Sequence, residues 1–180
     1  NPKPRVFRLE EDQALINRLG FNSFGAENVS SKIKLNQPTG LLGINIGPNK
    51  DSKDKLNDYL ICLKKFHDIA DYITINISSP NTENLRNFHD QTRLDELLKE
   101  IKKEKINLNS KIPIVVKIAP DIDDNEIEKI SEVLINNEVE GIIISNTSNV
   151  MREKLIDIQK HQKGGLSGKP IEDKSNLLIN

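Results

Sequence analysis

The β-branched run Tyr72-Ile73-Thr74-Ile75-Asn76-Ile77 empties into Ser78, Ser79, Asn81 and Thr82, gathered around Pro80. Amide side chains offer donors and acceptors at fixed geometry and hydroxyls add adaptable ones, so this cluster has the chemistry to hold a polar planar ring. A Ser/Pro/Asn turn that simply closes a strand accounts for the same residues. Lys117 is the second candidate, the single charge inside Ile114-Val115-Val116-Lys117-Ile118-Ala119-Pro120. Burying an ammonium is costly unless it meets an anion or a polar partner. A cation held there can stabilise negative charge developing on a bound ring; alternatively, a lysine at a strand end snorkels into water.

Two further stretches are ambiguous by themselves. Gly164-Gly165-Leu166-Ser167-Gly168 reads as a flexible loop ahead of a helix, permitting close backbone approach to a flat or phosphorylated ligand, or as a plain turn. In Asn17-Arg18-Leu19-Gly20-Phe21-Asn22, a helix end explains Gly20, while Asn17 and Asn22 have no evident packing use. The chain carries no Ser-His-Asp set. Its histidines, His67, His89 and His161, are scattered without metal-ligand spacing, and the lone Cys62 falls in an apolar helical pattern that reads as core. Hydrolysis and metal catalysis are therefore poorly supported. A site of amides and one cation suits a bound organic cofactor that does the electron chemistry.

Composition narrows the class further. The 180 residues suffice for one core. With 26 basic and 27 acidic residues the net charge is −1, so no field attracts nucleic acid or an anionic membrane. One cysteine precludes an internal disulfide, and neither an apolar run of about 18 residues nor a signal-peptide pattern occurs. Composition alone suggests a soluble protein of a reducing compartment. The start at Asn1 and the stop within the helix-like stretch Ser175 to Asn180 lead us to expect a piece of a larger protein.

The elements that must position these residues follow from periodicity. A helix is predicted from Glu10 to Arg18 and a short one from Ala26 to Ile33. Strands are predicted at Gly40 to Ile46, Tyr72 to Ile77, Ile114 to Ile118 and Gly141 to Ser145. Between them Leu56, Tyr59, Leu60 and Leu63 recur at helical spacing, as do Leu94, Leu97, Leu98 and Ile101, then Ile127, Ile130 and Leu134. Thr92 with Asp95, and Asp123 with Glu126, have capping-box spacing. Lys99 to Lys111 reads as a solvated helix end and loop. Alternating strands and helices predict a parallel sheet of the α/β class. Polar residues leave every strand tip: Asn45 and Gly47, Asn76 with Ser79 and Asn81, Lys117, then Ser145, Asn146 and Thr147. No glycine-rich dinucleotide turn follows the first strand, which favours a (β/α)8 TIM barrel over a doubly wound sheet, here a partial barrel of about four parallel strands.

At this level of detail the chain resembles dihydroorotate dehydrogenase of the class 2, quinone-dependent type. The resemblance rests on NPKPRVFRL at Asn1, INRLGFN at Ile16, GINIG at Gly43, INISSPNT at Ile75, VKIAPD at Val116, SNT at Ser145 and GGLSGKP at Gly164, in family order. It implies FMN as cofactor and oxidation of dihydroorotate to orotate in de novo pyrimidine (UMP) biosynthesis, with electrons passed to a quinone. Ser79 matches the catalytic base that takes the C5 proton while C6 gives a hydride to the flavin; class 1 relatives place cysteine there. Phe21 and Thr82 match positions on a water path from that serine. Asn76, Asn81, Asn146 and Thr147 match groups that hold the pyrimidine, joined by Asn17, Arg18, Leu19, Gly20 and Phe21. Asn45, Asn76, Lys117, Ser145 and Gly168 match FMN contacts. Ser145 stands where threonine is commoner, and Pro48 where lysine often appears.

The resemblance also implies that residues 1–180 are the central part of one FMN-binding barrel domain. The first two and last two strands, the amino-terminal helices that associate with a bacterial or mitochondrial inner membrane, and the phosphate-binding loop would then lie elsewhere. The alternatives are a class 1 or other dihydropyrimidine-oxidising flavoprotein, or an inactive half-barrel fragment acting only as a binding or scaffold piece. No metal and no nucleic-acid partner are expected.

Overall fold

The computed structural model describes residues 2–79 and 85–179, without the side chains of Arg86 and Asn87. In chain order its elements are β1 (Val6–Leu9), β2 (Ala14–Asn17), α1 (Ala26–Leu35), β3 (Gly43–Ile46), α2 (Lys55–Phe66), β4 (Tyr72–Asn76), α3 (Gln91–Asn107), β5 (Ile114–Lys117), α4 (Asp124–Asn136), β6 (Gly141–Ile143), β7 (Gly165–Gly168) and α5 (Glu172–Leu177). A 3-10 turn, Leu85–His89, leads into α3.

β3, β4, β5 and β6 form one parallel sheet whose spatial order is the chain order. Doubly wound sheets reverse their order at a switch point, whereas unidirectional addition of βα units curls a sheet into an arc of a (β/α)8 barrel. Side chains alternate across each strand. Ile73, Ile75, Ile77, Ile114, Val116 and Ile118 pack with Tyr59, Leu63, Leu94, Leu97, Ile101 and Ile130 from α2, α3 and α4. The register pairs Asn45 with Thr74, Asn76 with Lys117 and Lys117 with Ile143, placing these residues on the opposite face. One period-2 pattern therefore builds the core and, on its other face, lines up the polar groups.

Helix starts follow short-range chemistry. Asp54 accepts from the Asn57 N–H at 2.9 Å, and Asp123 and Glu126 form the predicted capping box. The spacing at Thr92 and Asp95 misleads, because α3 begins two residues earlier. Asp90 is its cap, accepting from the Arg93 N–H at 3.2 Å, and Asp95 instead bonds Lys99 and Asn137.

The amino-terminal region departs from the predicted helix. β1 and β2 form a hairpin that pairs Phe7 with Ile16 and Leu9 with Ala14, and the turn closes with the Gln13 N–H on the Glu10 carbonyl at 3.1 Å. Phe7, Leu9, Ala14 and Ile16 all point into a second small core with Leu155, Leu166 and Ile171. The glycine-rich stretch, expected as a loop, is β7, which pairs antiparallel with β2. Two backbone hydrogen bonds between Ser148 and Leu166, 2.9 and 2.7 Å, tie this three-stranded sheet to the segment leaving β6.

Candidate functional site

The tips of β4, β5 and β6 carry the site. Asn76 closes β4 nearly buried, and its side-chain oxygen accepts from the Ser78 N–H at 3.2 Å, the Ser78 hydroxyl at 3.2 Å and the Asn146 amide at 3.4 Å. A backbone N–H can only donate, so Ser78 determines which end of the Asn76 amide faces the turn. Its NH2 then points away, with no acceptor among the described residues. Asn146 is oriented by the same logic. Its oxygen accepts from the Thr147 N–H at 2.8 Å, which turns its NH2 toward Ser78, whose hydroxyl it meets at 3.0 Å. The Asn146 N–H donates to the Ile118 carbonyl at 2.8 Å, seating it over the end of β5. Ser78, fully buried, is thus the hub of the amide network, and Ser79 follows it, nearly as deeply buried.

Lys117 stands beside Asn76 in the sheet register. It is half-buried, and burial pushes its ammonium below the ordinary lysine range. Among the described residues no hydrogen-bond acceptor or carboxylate pairs with that ammonium. A half-desolvated cation beside an amide donor fits a flat, electron-rich ring such as a flavin.

The remaining predicted residues divide by position. Ser145 lies between β6 and the network, its hydroxyl donating to the Asn146 carbonyl at 3.0 Å and meeting the Ser175 hydroxyl of α5 at 2.8 Å. Asn45 is exposed on β3, in register with Thr74. The Phe21 ring lies against Gly47 just past β3, where a Cβ would overlap it. Phe21 thereby comes to the strand tips, followed along the chain by the exposed Phe24. Asn17 ends β2, its side-chain oxygen accepting from the Leu19 N–H at 3.4 Å, and Gly20 turns the chain with φ 69°. The Arg18 guanidinium covers the Phe7 ring at 4.6 Å and donates to the Pro4 and Lys163 carbonyls at 2.8 and 3.1 Å. Gly168 has φ 100°, and a Cβ would lie 2.5 Å from the Gln13 carbonyl oxygen, so hairpin pairing alone requires glycine there. Asn81 and Thr82 lie outside the described residues.

Sequence reasoning singled out neither Tyr59 nor Arg152 for the site. The Tyr59 hydroxyl donates to the Asn76 carbonyl at 2.7 Å. Arg152 clamps the carbonyls of Lys160, Gln162 and Gly164, the approach to β7. Tyr59 reads in sequence as one apolar position of a helix, and Arg152 as a surface charge; neither carries a local signal for these roles. Among the described residues no three His, Cys, Asp or Glu side chains are grouped to hold a metal, and no helix is long and apolar enough to cross a membrane.

Known proteins resemble this chain over nearly its whole length. A family model described as dihydroorotate dehydrogenase matches residues 1–180. The chain is 46% identical over 185 residues to a dihydroorotate dehydrogenase (quinone) of Idiomarina loihiensis, covering 99% of this chain and 55% of that protein. It is 43% identical to the one of Vibrio atlanticus, with the same coverage. The crystal structure of ligand-free DHODH from Eimeria tenella superposes with a TM-score of 0.93 at 34% identity, over 99% of this chain and 56% of that one. The chain thus spans about half the length of the curated relatives it matches.

Proposed function

Because the chain belongs to the dihydroorotate dehydrogenase family, we propose that it supplies the pyrimidine site and part of the flavin site of a quinone-linked enzyme that oxidises dihydroorotate to orotate. The observation that carries the proposal is the Asn76-Ser78-Asn146 network beside the half-buried Lys117. The Ser78 N–H turns the NH2 of Asn76 outward, so Asn76 donates to ligand acceptors such as the carbonyl oxygens of a pyrimidine. Asn146, Thr147 and Asn81, with Asn17 through Phe21, complete the ring of contacts.

FMN, when bound, supplies the acceptor for the hydride that leaves C6. Asn45, Asn76, Lys117, Ser145 and Gly168 would hold it, with Lys117 opposing negative charge on the ring. Ser79 takes the C5 proton. An ordinary serine hydroxyl stays protonated at neutral pH, so its own proton must pass onward, a step for which the resemblance implicates Thr82 and Phe21. The amide network meanwhile holds donors ready for charge developing on the substrate. Residues 1–180 would be the central part of one barrel domain in a peripheral membrane enzyme; its acceptor would be quinone, the acceptor named for the relatives.

The test uses the intact protein loaded with FMN. Anaerobic dihydroorotate is expected to bleach the flavin, and a ubiquinone analogue to restore it. Bleaching reversed by fumarate or NAD but not by quinone would place the protein with class 1, and an unbleached flavin would overturn the activity altogether.

A further inference from the structure

We infer that Tyr59 is a positioning residue for the catalytic turn, holding both stems of the segment that carries Ser79. The inference rests on the dehydrogenase reading above. Tyr59 sits in α2, on the helix side of the sheet, and is fully buried. Its O–H donates to the Asn76 carbonyl at 2.7 Å, at the stem that enters the turn. Its ring meets the Phe88 ring edge-on, with centroids 5.9 Å apart and planes at 90°, at the stem that leaves it. One side chain therefore touches the last residue of β4 and the 3-10 turn ahead of α3, on either side of Ser79.

The hydrogen bond falls where the sheet stops holding the chain. Register with β5 ends at the pair Asn76 and Lys117, and the next ladder contact, the Ile77 N–H to the Lys117 carbonyl, has stretched to 3.4 Å. Tyr59 takes over by fixing the peptide plane between Asn76 and Ile77. That plane sets the direction in which Ser78 meets the Asn76 amide, and hence where Ser79 begins. Burial raises the phenol well above the ordinary tyrosine range, so the hydroxyl remains a neutral donor at working pH. A tyrosine that only filled the core would need any buried acceptor; this one uses the carbonyl of the residue that also organises the amide network.

Tyr59→Phe in the intact, FMN-loaded protein keeps the ring and removes the donor. Stopped-flow flavin reduction is expected to show a limiting rate lower by at least about tenfold, with apparent dihydroorotate affinity and FMN content within about twofold, because a small misplacement of the base acts on the reacting geometry and not on binding. An unchanged limiting rate with only a lower melting temperature would reduce Tyr59 to core packing. If Tyr59→Phe does not fold, Phe88→Leu leaves the hydrogen bond and loosens the second stem alone. The same selective fall supports the inference, and an unchanged rate overturns it. Wild-type protein that is not bleached by dihydroorotate would instead sink the proposed function.

Discussion

The side-chain amide of Asn146 donates to that of Asn76 at 3.4 Å, joining the tips of two strands that are not neighbours in the sheet. β5 lies between them, so the bridge arches over the strand that carries Lys117. The Ser78 hydroxyl completes the arch, 3.2 Å from one amide and 3.0 Å from the other. Each amide is oriented by a donor-only backbone N–H, which makes the network directional.

Asn146→Ala removes one donor to Ser78 and Asn76 and one proposed contact to substrate. Orotate binding, followed by the flavin difference spectrum, is expected to weaken by roughly ten- to a hundredfold, the effect of losing one or two hydrogen bonds to the ligand. Retention of wild-type affinity would show that the arch does not serve the pyrimidine.

Ser79→Ala separates binding from chemistry. Flavin reduction is expected to slow by about two to four orders of magnitude while orotate still binds, as for loss of a general base. Near-normal single-turnover reduction in this variant would rule out Ser79 as the base.

Lys117→Met exchanges function for stability. Burial holds the ammonium below the ordinary lysine range. Its charge therefore destabilises the fold fully below the folded-state pKa, and the penalty vanishes as pH rises past the ordinary lysine value. FMN-free protein carrying Lys117→Met is expected to melt about 2 °C higher at pH 7, a gain of under about 1 kcal/mol for a partly exposed group. FMN should bind at least about tenfold more weakly. A lower melting temperature together with unchanged FMN affinity would show Lys117 to be a packing residue.

Glu140→Gln tests the other end of the sheet. Burial would raise this carboxyl, but the Ile114 N–H at 2.8 Å and the Lys105 ammonium at 3.0 Å outweigh it, and its pKa is lowered. The stability it contributes is present above the unfolded-state value and is lost as pH falls through the folded-state one. The variant should be less stable by roughly 1 kcal/mol at pH 7 and equal to wild type in strong acid. Denaturant midpoints at two pH values check this, and an equal deficit at both would show that the charge plays no part.

The core of the fold was legible because it is local. Helical spacing named Tyr59, Leu63, Leu94, Leu97 and Ile130, which pack on Ile73, Ile75 and Ile77, whereas the sheet register was needed to put Asn76 and Lys117 together on the other face. The capping box at Asp123 needed only three residues of context. The region from Glu10 to Arg18 misled for the opposite reason. Its short apolar spacing also suits a helix, and what makes it a strand is Gly165–Gly168, about 150 residues further along the chain.

By itself the sequence determined the parallel βα order, the strand tips as the place for polar chemistry, and the family, through blocks of residue types whose order needs no coordinates. Tertiary structure alone decided that the glycine-rich segment is a strand, that Ser78 turns the Asn76 NH2 outward, and that a helix tyrosine holds the carbonyl behind it. The physical reason is that periodicity is written along the chain, whereas the direction of a hydrogen bond is decided by whichever donor or acceptor the fold brings beside it.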